Sequence, residues 1–140
     1  MTSFVFRRQM IIEWGHCDPA GIVFNSRFFE FFDHNTWLLF DAALGVRPPD
    51  LSPTYGILGL PLVDARADFR KPARFGDTVK IASRVSEFRR SSFDVEHRIT
   101  VDGELAVDGS ETRVWAARAK DDPDKIGAVA IPPEVIARFG

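Results

Sequence analysis

The chain has 140 residues, 45% of them hydrophobic and 27% charged, and its formal net charge is −2. This length suits one domain, and we expect a single domain over residues 1–140. The slight negative charge gives no general attraction to nucleic acid or to an anionic membrane, so neither is an expected partner. Cys17 is the only cysteine, which excludes an intrachain disulfide and agrees with the cytoplasm, our expected location.

The first long element is a predicted helix over residues 26–44, with Asn25 or Ser26 as its N-cap and Gly45 as its C′ residue. Its charged residues fall within one sector about 120° wide, and apolar residues cover most of the rest. We therefore expect protein to surround this helix on most sides. Asn35 lies away from the charged sector, so we expect it to be buried with a hydrogen-bond partner.

The opening segment and the second half of the chain alternate polar and apolar residues, as half-buried strands do. The predicted strands cover residues 4–14, 63–70, 79–86 and 93–101, and a return strand follows the hairpin turn Asp102-Gly103. In the return strand the parity of the apolar residues changes between Val107 and Thr112, which predicts a β-bulge near Gly109.

Short links between these strands indicate an antiparallel sheet with one covered face, which the long helix can cover. The expected fold class is α+β, with a curved antiparallel sheet wrapped around one central helix. A short helix is predicted over residues 132–139, with Pro133 near its first position. The sheet leaves an open edge, so we expect a homo-oligomer built from dimers.

The loop from His16 to Phe24 carries the main functional signal, because it places Asp18 a few residues before a helix N-terminus. A carboxylate there can act as nucleophile or as general base, and the helix N–H groups can stabilise an oxyanion on an acyl carbonyl. Asp-Pro-Ala-Gly is also ordinary turn chemistry, so a purely structural role for Asp18 stays open.

Two other sites in the same loop are less favoured. A Cys–His dyad requires the side chains of His16 and Cys17 to meet. Adjacent residues in an extended segment point to opposite faces, so these two side chains do not pair readily. A metal site formed by His16, Cys17, Asp18 and His34 lacks a recognisable ligand spacing, and we expect no metal.

Basic residues cluster at Arg89-Arg90-Ser91-Ser92 and at residues 70–74. Such clusters are usually solvated turns, but Arg side chains and hydroxyls also bind phosphate, and two clusters in a chain of net charge −2 suit a small polyphosphorylated ligand. Asp33 belongs either to the exposed stripe of the helix or to a binding site. Phe28, Phe29 and Phe32 line either an acyl pocket or the core.

The segment Ile12-Glu13-Trp14-Gly15-His16-Cys17-Asp18-Pro19-Ala20-Gly21-Ile22-Val23-Phe24 resembles the signature of the 4-hydroxybenzoyl-CoA thioesterase family of hotdog-fold enzymes. The likeness covers nearly the whole chain, up to Ile131-Pro132. It implies an antiparallel sheet wrapped round a long helix, and a dimer or homotetramer with active sites at the subunit interface.

The resemblance also implies a role for each candidate residue. Asp18 is the catalytic carboxylate, and the backbone N–H of Asn25, where the family has a tyrosine, polarises the thioester oxygen. Arg89 and Arg90 bind CoA phosphates, and Ser91 stands where the family has a further basic residue. Asp33 meets a ring hydroxyl of the acyl group from the neighbouring subunit.

The resulting hypothesis is hydrolysis of an aromatic acyl-CoA thioester, such as 4-hydroxybenzoyl-CoA, in aromatic compound metabolism. No cofactor is expected, because CoA is part of the substrate. Two alternatives remain: a short-chain or phenylacetyl-type acyl-CoA thioesterase, and a non-catalytic module that binds acyl-CoA or acyl-carrier protein.

Overall fold

The computed structural model describes residues 2–140, which form a five-stranded antiparallel sheet, a two-stranded sheet and three α-helices. The strands are β1 (Phe6–Ile11), β2 (Leu62–Phe69), β3 (Thr78–Phe88), β4 (Ser92–Val101), β5 (Glu104–Val114), β6 (Ala116–Arg118) and β7 (Ile126–Ala128). The helices are α1 (Asn25–Leu44), α2 (Pro48–Tyr55) and α3 (Pro133–Ala137), and a 3-10 turn spans Trp14–His16. The large sheet has the order β1-β3-β4-β5-β2, so β1 and β2 are its edges. The predicted α+β class is confirmed.

One side of α1 contacts all five strands of the large sheet. Asn35 bonds Arg8 of β1 and Ser83 of β3, Phe32 stacks on His97 of β4, Thr36 bonds Glu111 of β5, and Phe28 packs on Phe69 of β2. A single helix can reach five strands only if the sheet curves around it. The predicted wrapping is therefore confirmed, as is the burial of Asn35 with hydrogen-bond partners.

The alternation predicted for the central strands is also confirmed. Odd-numbered residues of β3 and β4 from Val79 to Val85 and from Phe93 to Val101 are buried, including Ser83 and His97. At the hairpin, Asp102 has φ 51° and Gly103 φ 79°, the two positive values that a type I′ turn requires. The left-handed Gly45 ends α1 as expected.

The bulge of β5 lies at Ala106 rather than near Gly109. Ile99 pairs with Val107 but Thr100 pairs with Leu105, so Ala106 is the extra residue. Beyond it the odd-numbered residues of β5 are buried. The parity assigned to Thr112 was wrong, because Val107 follows the bulge instead of preceding it. The buried odd-numbered face that begins at Val107 therefore continues through Glu111 and Arg113.

Other elements differ from expectation or were not predicted. α2 was not predicted, and it begins at Pro48. Proline is common after the end of one helix and equally suits the first turn of the next, so Pro48 and Pro49 did not reveal the second helix. β6 and β7 form a small hairpin. β2 is an edge strand with little burial, and Val63 is 61% exposed. Within residues 2–140, no helix combines the length and apolar character needed to cross a membrane.

Candidate active site

The loop that carries Asp18 is a tight hairpin. Cys17 and Val23 form a bridge across it, the Asp18 N–H donates to the Ile22 carbonyl at 3.0 Å, and the Gly21 N–H donates to the Asp18 carbonyl at 2.9 Å. Gly21 has φ 81°, a conformation that disfavours residues with a Cβ. The Asp-Pro-Ala-Gly sequence therefore fixes the backbone of Asp18 at the start of a closed turn.

The two carboxylate oxygens of Asp18 have different surroundings. Oδ1 accepts a hydrogen bond from the Ala20 N–H at 2.8 Å, an Asx turn that fixes the side-chain direction. Within residues 2–140, Oδ2 accepts no hydrogen bond. Asp18 is half-buried. One oxygen thus orients the carboxylate, and the other is available to a substrate or a water molecule.

The helix start beside this loop is uncapped. Phe24 is the N-cap, not Asn25 or Ser26 as predicted, because its N–H donates back to the His16 carbonyl at 3.0 Å and ties the loop to the helix. No side chain caps α1. The Arg27 N–H donates to the Phe24 carbonyl at 2.8 Å. The N–H of Asn25, at the first position of the helix, has no intrahelical acceptor and is available to an oxygen of a ligand.

A cleft of about 350 Å³ opens at this helix start. Its walls combine the loop, the first turn of α1, and the end of β2: Ile22, Val23, Asn25, Phe28, Phe69, Arg70, Lys71 and Pro72. Ile22 also bonds the backbone of Asp18, which places the carboxylate residue at the margin of the cleft. Phe28 and Phe32 are core residues, and of the two only Phe28 reaches the wall.

His16 and Cys17 support the loop instead of forming a dyad. His16 Nδ1 accepts from the Glu13 N–H at 2.9 Å, and Cys17 Sγ donates to the Glu13 carbonyl at 3.6 Å. Desolvation and the charge of Asp18 raise the pKa of the Cys17 thiol, which disfavours the nucleophilic thiolate. In the described part of the chain, no three His, Cys, Asp or Glu side chains are grouped to hold a metal ion.

Asp33 lies on the exposed face of α1, but it is not simply a solvated residue. Its Oδ1 accepts a hydrogen bond from Nη2 of Arg113 at 2.7 Å. The two residues border a shallow cleft of about 360 Å³, with Trp37, Leu60 and Leu62 among its walls. Along the helix axis Asp33 lies roughly 12 Å beyond Asn25, at 1.5 Å per residue.

Arg89, Arg90 and Ser91 form the turn between β3 and β4. The Arg89 guanidinium bonds Asp94 at 2.7 Å and Glu87 at 3.1 Å. The hydrogen bond that the Arg89 guanidinium donates to Asp94 is the main cause of a raised Arg89 pKa, and the same bond lowers the pKa of Asp94. The exposed Arg90 side chain bonds no other side chain in the part of the chain that the structure describes, so it is the freer of the two cations.

The structure does not bring Asp18 and the Arg89–Ser91 turn together within one protomer. The loop is anchored beside the start of β3, since the Phe75 N–H donates to Gly21 and Ile12 bonds Asp77. The turn follows the other end of this 11-residue strand. At roughly 3.3 Å per residue the separation is about 30 Å.

Glu111 and Arg113 were not predicted as site residues, and both are buried beneath Asp33. The misplaced bulge assigned these two residues to the outer face. The sequence signal for this pair was their spacing. Glu111 and Arg113 are two charged residues at i and i+2 of one strand, so they share a face, which is the inner face that also carries His97. Buried charges of this kind need partners, so they point to a network.

Comparison with known proteins finds relatives that are named as an acyl-CoA thioesterase and an acyl-CoA hydrolase. The chain is 32% identical over 141 residues to 4-hydroxybenzoyl-CoA thioesterase of Pseudomonas sp. strain CBS-3, covering 91% of this chain and 92% of the relative. It is 28% identical over 100 residues to 1,4-dihydroxy-2-naphthoyl-CoA hydrolase of Synechococcus elongatus, 71% of each.

A solved structure of the Pseudomonas 4-hydroxybenzoyl-CoA thioesterase superimposes with a TM-score of 0.87 at 27% identity, covering 97% of this chain and 99% of that one. This likeness identifies the curved sheet around α1 as the hotdog fold. The model of the Thioesterase-like superfamily matches residues 12–139. The chain belongs to this superfamily.

Proposed function

We propose that this thioesterase hydrolyses an aromatic acyl-CoA, 4-hydroxybenzoyl-CoA or a close relative, without a metal or a redox cofactor. The observation that carries the proposal is the Asp18 carboxylate, oriented through one oxygen and open at the other, beside an uncapped helix start. The aromatic substrates named for both relatives support the choice of acyl group.

The helix start supplies the electrophilic half of the reaction. The thioester oxygen lies at the first turn of α1 and accepts a hydrogen bond from the Asn25 N–H, which strengthens as negative charge develops. Asn25 acts through its backbone, so its side chain is not required.

Asp18 supplies the other half by one of two routes. As a general base, it takes a proton from water while the water oxygen adds to the thioester carbon and the C=O pair moves onto oxygen. When the C=O bond re-forms, the C–S bond breaks, and the departing CoA thiolate takes up the proton. As a nucleophile, an Asp18 oxygen instead adds to the thioester carbon, and the C–S bond breaks to release CoA thiolate and leave an aspartyl anhydride. Water then hydrolyses the anhydride, and the proton that it releases goes to the thiolate.

Oxygen-18 found in Asp18 would establish the nucleophilic route. A single turnover in labelled water should place the label in Asp18 if water opens the anhydride at the aspartyl carbonyl. The general-base route leaves Asp18 unlabelled, because the water oxygen then enters only the free acid.

The CoA phosphates are proposed to bind at the Arg89–Arg90–Ser91 turn. Arg90 contacts them directly, since its guanidinium is unengaged. Arg89 must first exchange its bonds to Asp94 and Glu87, and Ser91 offers a hydroxyl as a weaker contact.

A second protomer is needed to complete the site, because Asp18 and the phosphate turn of one protomer are about 30 Å apart at a strand's rise per residue. The free edge of β2 is the proposed contact. A two-fold axis there sets the Leu62 end of one β2 against the Phe69 end of the other. Asp33 borders the Leu62 end and Asn25 the Phe69 end, so the axis brings Asp33 of one protomer toward the helix start of the other.

Thiol release from a panel of acyl-CoA esters tests this function. We expect the highest kcat/KM with 4-hydroxybenzoyl-CoA or another hydroxylated aromatic ester, and lower values with benzoyl-CoA. Faster release from acetyl-CoA or phenylacetyl-CoA would favour the alternative thioesterase classes. Binding of all esters without any thiol release would favour a non-catalytic module.

A further inference from the structure

A continuous chain of hydrogen bonds crosses the core under α1 and ends at Asp33. It begins on β1 and passes through α1 and the three central strands, in the order Arg8, Asn35, Ser83, His97, Glu111, Arg113, Asp33. Five of its seven members are buried, Arg8 is half-buried, and Asp33 is exposed at the cleft that it borders with Arg113. The chain therefore connects the packed core to one position on the surface.

The first half of the chain of hydrogen bonds runs from Arg8 to Glu111. Nε of Arg8 donates to Oδ1 of Asn35, and Nδ2 of Asn35 donates to the Ser83 hydroxyl. The Ser83 hydroxyl lies 2.6 Å from Nδ1 of His97, and Nε2 of His97 lies 2.9 Å from Oε1 of Glu111. The imidazole ring therefore bridges Ser83 and Glu111 through its two nitrogens.

The second half holds a guanidinium in a fixed position. Glu111 is 2% exposed and accepts hydrogen bonds from His97, Thr36 and Arg113. Burial raises the pKa of Glu111, but the bonds and charges of His97 and Arg113 outweigh that effect and hold the pKa at about 2. Glu111 is therefore a carboxylate that anchors Arg113.

Arg113 is 3% exposed, and each of its nitrogens is engaged. Nε and Nη2 bond Glu111, Nη1 donates to the Leu60 carbonyl at 2.9 Å, and Nη2 also donates to Asp33 at 2.7 Å. A guanidinium held at three sides cannot follow a moving partner. Asp33 itself is 55% exposed, and an exposed carboxylate without such a partner would sample several rotamers.

The Arg113–Asp33 pair favours an acyl group that carries a hydroxyl at its far end. Arg113 donates to Oδ1 of Asp33, so Oδ2 is the carboxylate oxygen available to accept a hydrogen bond from a ligand. A phenolic hydroxyl can donate to it, whereas an acyl carboxylate is repelled and an unsubstituted ring leaves it unpaired.

We propose that Arg113, anchored by Glu111, is the positioning residue that holds Asp33 as the acceptor for a hydroxylated acyl group. This inference rests on the proposed function and adds the origin of its substrate preference. Arg113 does not contact the reacting thioester.

The test is the ratio of kcat/KM for 4-hydroxybenzoyl-CoA over benzoyl-CoA. Lysine at position 113 keeps the charge but cannot bridge Glu111, Leu60 and Asp33 at once, so R113K should lower the ratio about tenfold, as expected for losing a hydrogen bond to a charged group. In the D33A background R113K should leave the ratio unchanged. The matched control is R47K, because Arg47 also pairs with an α1 aspartate, Asp41, at 3.8 Å on the surface.

A purely structural role for Arg113 would lower both kcat/KM values together and leave the ratio at its native value, which would overturn the inference. If R113K does not fold, the E111Q/R113Q double variant decides, because it strands no buried charge and should show the same lower ratio. A wild-type ratio near one would contradict the proposed substrate as well. A high wild-type ratio that neither variant changes would contradict the inference alone.

Discussion

At the scale of single residues, the two oxygens of Asp18 explain how an aspartate in a turn can also serve as the proposed catalytic carboxylate. The Asx bond to Ala20 fixes the side chain, so the open oxygen is presented without a cost in side-chain freedom when the substrate binds. His16 and Cys17 hold the same turn through Glu13. The loop is thus a support for one carboxylate.

The Arg89–Ser91 turn, where the CoA phosphates are proposed to bind, gives a prediction that distinguishes its two arginines. R90A should raise KM for the CoA ester several-fold and leave KM for the matching pantetheine ester unchanged, because only the CoA ester carries the distal phosphates. R89A should have the smaller effect on KM, since Arg89 is already paired with Asp94 and Glu87. Steady-state kinetics with both esters measures this.

R47A, a change at another surface arginine, is the control and should leave both KM values unchanged. Equal increases with the CoA and pantetheine esters in R90A would rule out the phosphate role of the turn.

The sequence was sufficient to predict the burial of Asn35 but not that of Arg113. The polar Asn35 in an apolar helix predicted a buried hydrogen-bonded side chain, because an unpaired amide is costly inside a protein. Arg113 was missed because the bulge was placed near Gly109, and a strand of period 2 turns such an error into an exchange of faces.

At the scale of elements, the approach of α1 to β5 depends on one glycine. A Cβ placed on Gly109 would lie 2.3 Å from the Phe32 ring. That ring is fully buried and stacks on His97 with 4.7 Å between centroids, so it has no room to move. The glycine therefore permits the close contact of helix and sheet.

G109A should accordingly lower the free energy of unfolding by about 1–3 kcal/mol through overpacking. The control is G127A on β7, where a Cβ meets no atom within 4 Å. Urea unfolding of both variants measures the difference. Equal stabilities would show that the helix can shift and that the contact is not restrictive.

The alternation of apolar residues was sufficient to predict the central strands, because β3 and β4 are buried on one face only. It did not predict α2, whose prolines suit a helix start and a helix end equally well. The alternation also overstated the burial of β2. It shows which face of a strand is apolar, but it does not show whether residues of the same protomer bury that face.

At the scale of the whole molecule, the buried charges make stability depend on pH. The native pKa of Glu111, about 2, lies below its usual 4.5. The contribution of ionised Glu111 to the free energy of unfolding, on the order of 3 kcal/mol, is therefore fully present above about pH 4.5. It is lost as the pH falls toward 2.

E111Q carries no such titration. Urea unfolding at pH 6, 4 and 3 should show wild type as the more stable protein at pH 6 and a difference that narrows as the pH falls. A difference independent of pH would mean that Glu111 is not a native carboxylate.

The exposed β2 edge predicts assembly. We expect light scattering to give a mass of at least two chains for wild type and a larger monomer fraction for V63K, because the lysine places charge on an apolar edge. Activity should fall as the dimer dissociates, since the proposed site needs both protomers. I11K, a change of similar exposure on the opposite edge strand, should keep the dimer. A fully active V63K monomer would contradict the composite site.

The most direct measurement is the turnover of D18N with 4-hydroxybenzoyl-CoA. Asparagine can still accept the Ala20 N–H, so the loop should keep its shape, but it can neither attack the thioester nor take a proton from water. We predict a kcat lower by about 10²–10⁴-fold with KM and thermal stability near native values, whereas C17S should stay active. A folded D18N protein with near-native kcat would contradict the account.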